Sequence, residues 1–354
     1  MAELLDRIQE RALQLNVLLN LHIDLTYRCN ERCIHCYLDH DSSDELTLAD
    51  LERVFAQARG LGTLFLTLSG GEPMVRRDFF PILRSACAHG FAVKLKTNGT
   101  MIREPESEAF ADLGVHQVQI SVYSDNPGTH DRITKLPGSF RRSMEAITLL
   151  RNHGIPVVIA DPLMRANIAD YAKVQKLAEE LGVAFTFDPT ITPMINGNID
   201  LSDQRITRTA LQKLYSDPNL VGDPAEFCRP ASAPDDLHEN VPCSAGHNAA
   251  YIAPDGSVTP CVQFPYSCGN VRDESLSNIW RRSPHMLEVR SIRLKDLHTC
   301  SSCDLLGGCT RCPGLAFMQG DLRGPSSIDC EKSEVRFSRV PSSSLVQISM
   351  GGQL

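Results

Sequence analysis

The sequence TYRCNERCIHCY, residues 26–37, carries Cys29, Cys33 and Cys36 at the spacing CxxxCxxC. It directly follows an apolar run, residues 17–25, that has the pattern of a β-strand. Three thiolates on one short loop can bind three corners of a [4Fe–4S] cube and leave the fourth iron without a protein ligand. Open metal positions are typical of catalytic sites, whereas structural sites are closed. The stretch therefore indicates an enzyme with an iron–sulfur cluster.

A zinc knuckle is the alternative interpretation of this loop. Structural zinc takes four ligands, and His35 lies inside the loop, where it could be the fourth. The motifs further along the chain favour iron over zinc.

Further motifs follow apolar strands downstream. Ser69-Gly70-Gly71-Glu72-Pro73 comes after the apolar run 64–68, and Lys96-Thr97-Asn98-Gly99 ends the next strand. Gln119-Ile120-Ser121-Val122-Tyr123-Ser124 is followed by Thr129-His130-Asp131-Arg132-Ile133. Together with the cysteine loop, these motifs resemble the radical S-adenosylmethionine (SAM) superfamily.

This resemblance implies a set of SAM-binding residues. Gly70, Gly71 and Glu72 would receive the methionine amino group of SAM, because glycine lets the main chain approach a ligand closely and a carboxylate pairs with an ammonium group. Ser121 would contact the ribose, and Arg132 would face the SAM carboxylate. The three cysteines of the loop would bind the [4Fe–4S] cluster whose free iron binds SAM.

The composition is that of a globular protein, with 42% hydrophobic and 22% charged residues. A net charge of −8 and the lack of a Lys/Arg-rich run argue against a nucleic-acid surface, which needs basic residues to neutralise phosphates. No apolar stretch is long enough to span a bilayer, and residues 1–16 lack a signal-peptide core. Thirteen cysteines without a secretion signal indicate metal or redox chemistry. We therefore expect a cytoplasmic protein that binds neither nucleic acid nor membrane.

The spacing of apolar residues predicts alternating strands and helices after a short amphipathic helix at 3–15. Strands are expected near 18–25, 64–68, 92–95, 115–122, 157–160 and 184–187, and helices near 48–61, 78–89, 104–113, 140–153 and 168–181. Such alternation predicts a parallel sheet with helical crossovers. The expected fold class is α/β, and the superfamily resemblance makes it a partial (β/α)6 barrel with a small, cysteine-rich C-terminal domain.

We expect five segments along the chain. They are an N-terminal capping helix (1–16), the radical SAM partial barrel (17–200), a linker with a helix at 203–216 (201–242), a cysteine-rich domain (243–335) and a flexible tail (336–354). Prolines cluster in 217–242 and favour a loop there. The tail is rich in Ser, Gly and Gln, a composition typical of frayed termini.

A second group of cysteines occupies the C-terminal part of the chain. Its members are Cys243, Cys261, Cys268, Cys300, Cys303, Cys309, Cys312 and Cys330. On spacing alone, residues 300–312 could form a zinc site. The surrounding sequence, with CSAG at 243–246, YIAPDGSVTPC at 251–261, GNV at 269–271 and SLSNIW at 275–280, resembles the SPASM domain. That domain holds auxiliary [4Fe–4S] clusters in radical SAM enzymes that modify peptides.

The SPASM resemblance implies two ligand sets. One cluster takes Cys300, Cys303, Cys309 and Cys330, and the other takes Cys243, Cys261 and Cys312. The second set lacks a fourth cysteine, because Ala250 lies about where many members have one. Cys268 is the preferred fourth ligand, Cys228 is its rival, and an iron without a fourth protein ligand is the third possibility.

The combined resemblance implies reductive cleavage of SAM to a 5′-deoxyadenosyl radical, which abstracts hydrogen from a substrate. The expected enzyme is a radical SAM oxidoreductase that matures a ribosomally synthesised precursor peptide by oxidation or by forming a C–C, C–S or C–O bond. A tetrapyrrole side-chain decarboxylase or lyase of the haem pathway is the first alternative. Sulfatase-maturase-like protein oxidation ranks lower, because Val262 stands where those enzymes carry an acidic residue. A non-catalytic metal scaffold ranks last.

The expected partners are a precursor peptide, a separate leader-binding protein and a low-potential electron donor such as flavodoxin or ferredoxin. The leader-binding protein is expected because the barrel begins near residue 17, with no peptide-recognition domain before it. The substrate, the bond formed, the donor and the oligomeric state stay open at this point. For a general acid or base, the sequence offers only Asp24, Asp161 and Asp188 near strand ends.

Overall fold

The computed structural model describes residues 2–40, 44–194, 201–228 and 237–338. The chain divides into two compact units. Unit 1 comprises Met1–Arg205 and Ser244–Arg290, and unit 2 comprises Ile206–Cys243 and Ser291–Leu354. Unit 1 thus takes in part of the cysteine-rich segment that the sequence analysis begins at residue 243.

The strands of unit 1 form one sheet. They are β1 Asn20–Asp24, β2 Phe65–Ser69, β3 Ala92–Thr97, β4 Gln117–Ser121, β5 Val157–Pro162, β6 Ala184–Asp188, β7 Ala249–Ile252, β8 Ser257–Thr259 and β9 Gly269–Asn270. The strand order is β6-β5-β4-β3-β2-β1-β7-β8-β9. Strands β1 to β6 are parallel neighbours in chain order, as in the predicted partial barrel, and the α/β fold class is confirmed.

Three strands that the sequence analysis did not predict extend the sheet beyond β1. Strand β7 is parallel to β1 and places Tyr251 opposite His22, whereas β8 and β9 continue in antiparallel pairs. These strands are only two to four residues long. Such short runs carry little apolar periodicity, so their pairing depends on the neighbouring strand rather than on their own pattern.

The helices cover most of the predicted helical runs. They are α1 Ala2–Leu15, α2 Leu48–Gly60, α3 Phe79–Ala88, α4 Glu104–Asp112, α5 Pro127–Thr134, α6 Ser139–Asn152, α7 Tyr171–Leu181, α8 Arg208–Leu214, α9 Pro218–Val221, α10 Pro224–Phe227, α11 Leu276–Arg282, α12 Pro284–Ser291, α13 Pro313–Met318 and α14 Ser327–Phe337. Helix α7 begins three residues later than expected, because hydrogen bonds of the Asn167 side chain hold the preceding residues in a loop. Its side chain donates to Asp161 Oδ1 and accepts from the Met164 N–H, both at 2.8 Å.

The core of unit 1 lies between the sheet and the helices. Phe55 of α2, Phe79 of α3 and Phe110 of α4 are fully buried, as are Leu66 and Leu68 of β2. Burying a side chain of this size stabilises the fold by about 1.5–3 kcal/mol. The packed core holds the strands rigidly, so the loops at their carboxyl ends have a fixed base.

Unit 2 contains short helices and turns, and α14 packs against α8. Helix α8 begins after Thr207, whose Oγ1 accepts a hydrogen bond from the Ala210 N–H at 3.2 Å, so it is shorter than the predicted 203–216. Helix α14 reaches Phe337, two residues into the segment expected to be a flexible tail. Residues 339–354 of that tail lie outside the described residues, as does the middle of the linker.

No helix in the described part of the chain combines the length and apolar character needed to cross a membrane.

Candidate active site

A cavity of about 520 Å³ opens at the carboxyl ends of strands β1 to β6 in unit 1. The three cysteines of the first loop, Cys29, Cys33 and Cys36, all line it. So do Gly70 and Gly71 after β2. In open parallel sheets, ligands bind at this edge because the strand ends and their loops converge there. The cavity is therefore the candidate active site.

Backbone hydrogen bonds hold the cysteine loop in place. The Arg32 N–H donates to the Thr134 carbonyl and the Ile34 N–H donates to the Ile133 carbonyl, each at 3.0 Å. Both acceptors lie at the end of α5. The helix that follows the predicted ribose-binding motif thus anchors the loop, a role that the sequence analysis did not assign to it.

A side-chain contact from the end of β3 also holds this loop. Asn98 Nδ2 donates to Asn30 Oδ1 at 2.8 Å and lies 3.9 Å from Cys29 Sγ. Asn30 in turn donates to Thr100 Oγ1 at 2.8 Å. From the sequence alone, residues 96–99 have no assigned function. The Thr-Asn-Gly sequence after a strand is the signal that could have identified them.

The two glycines after β2 lie against the cysteine loop itself. A Cβ on Gly70 would be 2.2 Å from the Thr26 carbonyl oxygen, and one on Gly71 would be 2.4 Å from that of Arg28. The Gly71 N–H donates to Thr26 O at 2.8 Å. In the sequence, close approach of the main chain to a ligand is the expected reason for these glycines. The structure adds a second reason, since only glycine lets this turn pack on the loop backbone.

Glu72 does not line the cavity. Its buried carboxylate accepts hydrogen bonds from the Thr97 hydroxyl (2.7 Å), the Asn98 N–H (2.8 Å) and the Met74 N–H (3.1 Å). Burial raises the pKa of Glu72 although these donors oppose the shift. In this structure Glu72 joins the loops after β2 and β3. Its predicted contact with the SAM amino group stays a prediction.

Ser121, predicted to contact the ribose of SAM, lies in the cavity wall, whereas Arg132, predicted to face the SAM carboxylate, does not. Ser121, at the end of β4, lines the cavity beside Gln119. Arg132 of α5 is exposed and donates to Thr129 Oγ1 at 3.0 Å, and it is not among the cavity-lining residues described. The structure thus brings Ser121 to the cysteine loop but not Arg132, whose role stays a prediction.

The thiols of the first loop fit an iron–sulfur cluster by their chemistry. Burial raises the pKa of Cys29 to about 12 and raises the pKa of Cys33 and Cys36 in the same direction. The buried atoms Glu31 Oε1 and His35 Nδ1 have no hydrogen-bond partner among the described residues. Thiols in such a site become thiolates only beside a strong positive charge, which a metal cluster supplies.

His35, which could be the fourth ligand of a zinc knuckle, lies beside Tyr123. Its ring lies edge-on to Tyr123, with centroids 5.0 Å apart, and burial lowers its pKa to about 4. No three His, Cys, Asp or Glu side chains within 2–40, 44–194, 201–228 and 237–338 are grouped so as to hold one metal ion. A cube differs in presenting a separate iron to each thiolate.

In unit 2, four cysteines converge on a second, smaller cavity of about 100 Å³. They are the four that the sequence analysis assigned to one auxiliary cluster, namely Cys300, Cys303, Cys309 and Cys330. Arg311 lies beside them and lowers the pKa of Cys300, against the stronger opposite effect of burial. The positive guanidinium group of Arg311 offsets part of the negative charge of the four thiolates. This donor set therefore fits a [4Fe–4S] cluster.

The other predicted ligands are distributed between the units. Cys243 and Cys312 lie in unit 2, where Cys243 contributes to the raised pKa of Cys312. Cys261 lies in unit 1 near the cavity, close enough to influence the pKa of Lys96. Each of these three cysteines is partly exposed.

The candidates for the fourth ligand are both buried. Cys268 belongs to the hydrophobic core of unit 1, where its thiol donates to the Tyr266 carbonyl at 3.4 Å. Cys228 of unit 2 lies 3.9 Å from the Tyr215 carbonyl. The choice between Cys268, Cys228 and an open iron therefore stays a prediction.

Inward-facing polar side chains line the cavity beyond the cysteine loop. Lys96 of β3 and His22 of β1 are basic, and Asp161 of β5 and Asp188 of β6 are acidic. Burial lowers the pKa of Lys96 and raises that of Asp161 well above the usual range. Asp24, another candidate acid from the sequence, is fully buried behind His22.

The open αβ sheet, the three-cysteine loop and the glycine turn against it define a SAM-dependent iron–sulfur enzyme. The family model "Radical SAM superfamily" matches residues 23–178, and the model "Iron-sulfur cluster-binding domain" (SPASM) matches residues 243–304. The chain carries a radical SAM domain and a SPASM domain. Its cofactors are accordingly [4Fe–4S] clusters and SAM, as the sequence analysis predicted.

Curated relatives align with most of this chain, and about a quarter of the aligned residues are identical. The AdoMet-dependent heme synthase of Methanosarcina barkeri is 27% identical over 83% of this chain and 90% of its own length. The AdoMet-dependent heme synthase of Oleidesulfovibrio alaskensis is 25% identical, over 83% of this chain and 82% of its own length.

Solved structures share the fold. SuiB of Streptococcus suis, bound to the precursor peptide SuiA, superposes with a TM-score of 0.69 at 17% identity, covering 92% of this chain and 79% of SuiB. The enzyme anSMEcpe, with bound AdoMet and a peptide, gives a TM-score of 0.67 at 18% identity, covering 94% and 99%. Both likenesses concern the fold alone.

Proposed function

We propose that this enzyme modifies a ribosomally synthesised precursor peptide by radical SAM chemistry, forming a C–C, C–S or C–O bond or oxidising a side chain. The observation that carries the proposal is the charge of the cavity. Among the described lining residues, Lys96 is the only lysine or arginine, whereas Glu31, Asp161 and Asp188 are carboxylic acids. Such a lining suits a largely uncharged or cationic peptide segment.

The same lining is poorly matched to a substrate with several carboxylates. A macrocycle that carries multiple propionate groups needs several cations to offset desolvation of its charges. Burial raises the pKa of Glu31 to about 7 and raises that of Asp161 well above its usual range, but neither group supplies a positive charge. One lysine cannot balance several carboxylates.

The residues of this chain have distinct tasks in the proposed reaction. When bound, the first cluster and SAM supply the 5′-deoxyadenosyl radical that removes hydrogen from a C–H bond. Cys29, Cys33 and Cys36 hold the cluster, and Gly70 and Gly71 keep their loop in position. The walls of the cavity orient the substrate and exclude water from the radical.

The C-terminal cysteines would serve electron transfer. Peptide oxidation or coupling leaves one electron to be removed from the product radical, and an auxiliary cluster can accept it. Cys261, which lies near the cavity in unit 1, is suited to hold such an acceptor close to the substrate. The expected partners remain the precursor peptide, a leader-binding protein and a flavodoxin or ferredoxin in the cytoplasm.

Tetrapyrrole side-chain decarboxylation is the second candidate. The heme synthase relatives, at 25–27% identity over 82–90% of their own length, are the observation that favours it. Lys96 would then bind a propionate group. Sulfatase-type oxidation is less favoured, because the cavity-lining residue after Cys261 is Val262, which cannot act as a base.

The two candidates are separated by substrate turnover. The anaerobically reconstituted enzyme is incubated with SAM, dithionite and either the peptide encoded next to its gene or a tetrapyrrole with propionate side chains. We expect a mass change in the peptide together with 5′-deoxyadenosine, and no change in porphyrin absorbance. Loss of about 46 mass units per side chain from the tetrapyrrole, the mass of CO₂ and two hydrogens when a propionic acid becomes a vinyl group, together with an unmodified peptide would overturn the proposal. Cys33→Ala is the control, because it should cleave no SAM with either substrate.

A further inference from the structure

Four side chains of unit 1 form a hydrogen-bonded chain that ends at the cavity. His22 Nε2 lies 3.1 Å from Asp24 Oδ1, and Tyr251 donates its hydroxyl to Asp24 Oδ2 at 2.8 Å. The hydroxyl of Tyr27 lies 3.2 Å from that of Tyr251. None of the SAM-binding or cluster-binding motifs accounts for this arrangement.

The hydrogen bonds of Asp24 determine which ring nitrogen of His22 carries the proton and which carries the lone pair. Asp24 is fully buried, so its carboxylate must be satisfied by donors. The Tyr251 hydroxyl donates to one oxygen of Asp24, and burial raises the pKa of Tyr251, so this phenol keeps its proton. The second oxygen of Asp24 then takes the N–H of His22 Nε2. This leaves the lone pair on Nδ1, the tautomer that a carboxylate behind a histidine commonly enforces.

His22 is placed to meet a substrate. It lines the cavity, its side chain is 19% exposed, and the Tyr251 ring packs edge-on against it with centroids 5.4 Å apart. This packing restricts the rotation of the imidazole. Lys96 of β3 also lines the cavity and interacts with the same Asp24, so two basic side chains share this part of the wall.

We infer that His22 is the general base of the coupling step, with Asp24 and Tyr251 as positioning residues. The inference rests on the proposed peptide coupling. There, a carbon radical on the peptide forms a bond to a nucleophile X–H. The X–H bond breaks, its proton goes to His22 Nδ1, and one electron leaves the substrate for an oxidised auxiliary [4Fe–4S] cluster. The C–X bond, one proton and one electron balance the step.

Radical decarboxylation would not need this base. When a propionate side chain loses hydrogen at carbon and then CO₂, one electron leaves the substrate and no proton is released. The role of His22 therefore differs between the two candidate functions, and one experiment can distinguish them.

The test uses full-length, cluster-loaded His22→Ala and His22→Gln with the neighbouring peptide, SAM and dithionite. We expect 5′-deoxyadenosine within about two-fold of wild type, but a product-to-5′-deoxyadenosine ratio reduced about 100-fold, within the range for loss of a general base. Free imidazole should restore part of the product in His22→Ala but not in His22→Gln, where the longer side chain fills the space. His153→Ala, which removes a partly exposed histidine paired with Glu104, is the matched control.

The outcomes separate three cases. If wild type modifies the peptide and both His22 variants keep the wild-type ratio, the base assignment is wrong and the proposed function stands. If labelled peptide binds the variants more weakly in proportion to the lost product, His22 is a binding residue and the assignment is also wrong. If wild type instead decarboxylates a tetrapyrrole, or acts on neither substrate, both the proposed function and the base assignment fail. Iron content equal to wild type shows that the clusters are intact in every variant.

Discussion

At the scale of single residues, the site is built by contacts between its own motifs. The glycine turn after β2 packs on the cysteine loop, and Glu72 receives hydrogen bonds from the end of β3. Asn98 reaches from that same strand end to Asn30. A change in any one motif should therefore displace the others, even where the changed residue touches no cofactor.

Gly71→Ala should disturb the cysteine loop. Its Cβ would lie 2.4 Å from Arg28 O and 2.6 Å from Tyr27 O, and these backbone atoms cannot move without shifting the loop. Overpacking of this kind typically costs about 1–3 kcal/mol. We expect lower thermal stability and the loss of roughly four irons per chain, the content of one cube.

Gly60→Ala is the matched control for this change. Nothing lies within 4 Å of the added Cβ, and Gly60 is the last residue of α2, where alanine favours the helix. Thermal stability should be unchanged or slightly raised, and iron content should be unchanged. Equal iron content in both variants would contradict the packing argument for Gly71.

Glu72→Gln should destabilise unit 1 through unpaired donors. Both carboxylate oxygens of Glu72 accept, one from Met74 N–H and the other from Thr97 and Asn98. An amide has one acceptor oxygen, so its NH₂ group must face a donor that is then left without a partner, at about 1–3 kcal/mol. Anaerobic urea unfolding measures the change. The exposed Glu108→Gln is the control, and equal midpoints for the two variants would refute the argument.

At the scale of elements, local sequence signals set where helices begin. Helix α2 begins with a capping box, in which Thr47 Oγ1 accepts from the Asp50 N–H at 3.2 Å and Asp50 Oδ2 accepts from the Thr47 N–H at 2.9 Å. Helix α2 packs on α3 and on α11 within unit 1. Its start therefore fixes one side of the core beneath the sheet.

Thr47→Ala should lower the stability of unit 1 by about 0.5–2 kcal/mol, the usual cost of an N-cap hydroxyl. Chemical denaturation followed by circular dichroism measures it. Thr47→Ser keeps the hydroxyl and should stay within a few tenths of a kcal/mol of wild type. If the serine variant lost as much stability as the alanine variant, the methyl group rather than the cap would be responsible.

At the scale of the whole molecule, the cysteines divide into groups with separate tasks. Three line the cavity of unit 1, and four converge in unit 2.

Cys33→Ala should abolish SAM cleavage and remove roughly four irons, the content of one cube. Cys303→Ala should spare uncoupled formation of 5′-deoxyadenosine but abolish formation of the peptide product. Iron analysis and chromatography of 5′-deoxyadenosine report the two effects. Persistent SAM cleavage in Cys33→Ala would contradict the assignment of the first loop, and equal loss of both activities in Cys303→Ala would mean that unit 2 is needed for folding.

Much of this architecture was readable from local sequence. The alternation of apolar runs predicted β1 to β6 and the helices α1 to α4, α6 and α7 within a few residues, because strand and helix periods are properties of short segments. The cysteine spacing and the turn at 69–73 predicted the first site, since loop ligands and glycines are themselves local patterns. Strand β7 was not predicted because its pairing partner, β1, lies more than 200 residues away in the chain. Strands β8 and β9, which pair with β7 and with each other, are too short to carry a periodic pattern of their own.

The sequence by itself determined the fold class, the family and the identity of the cavity-lining thiols. Only the tertiary structure decided what each polar residue does. It turned Glu72 away from the cavity, left Arg132 exposed and brought Tyr251 to Asp24 behind His22. The physical reason is that periodicity encodes which face of a strand is buried, whereas a hydrogen bond between residues 24 and 251 depends on the register of two strands that only the folded sheet brings together.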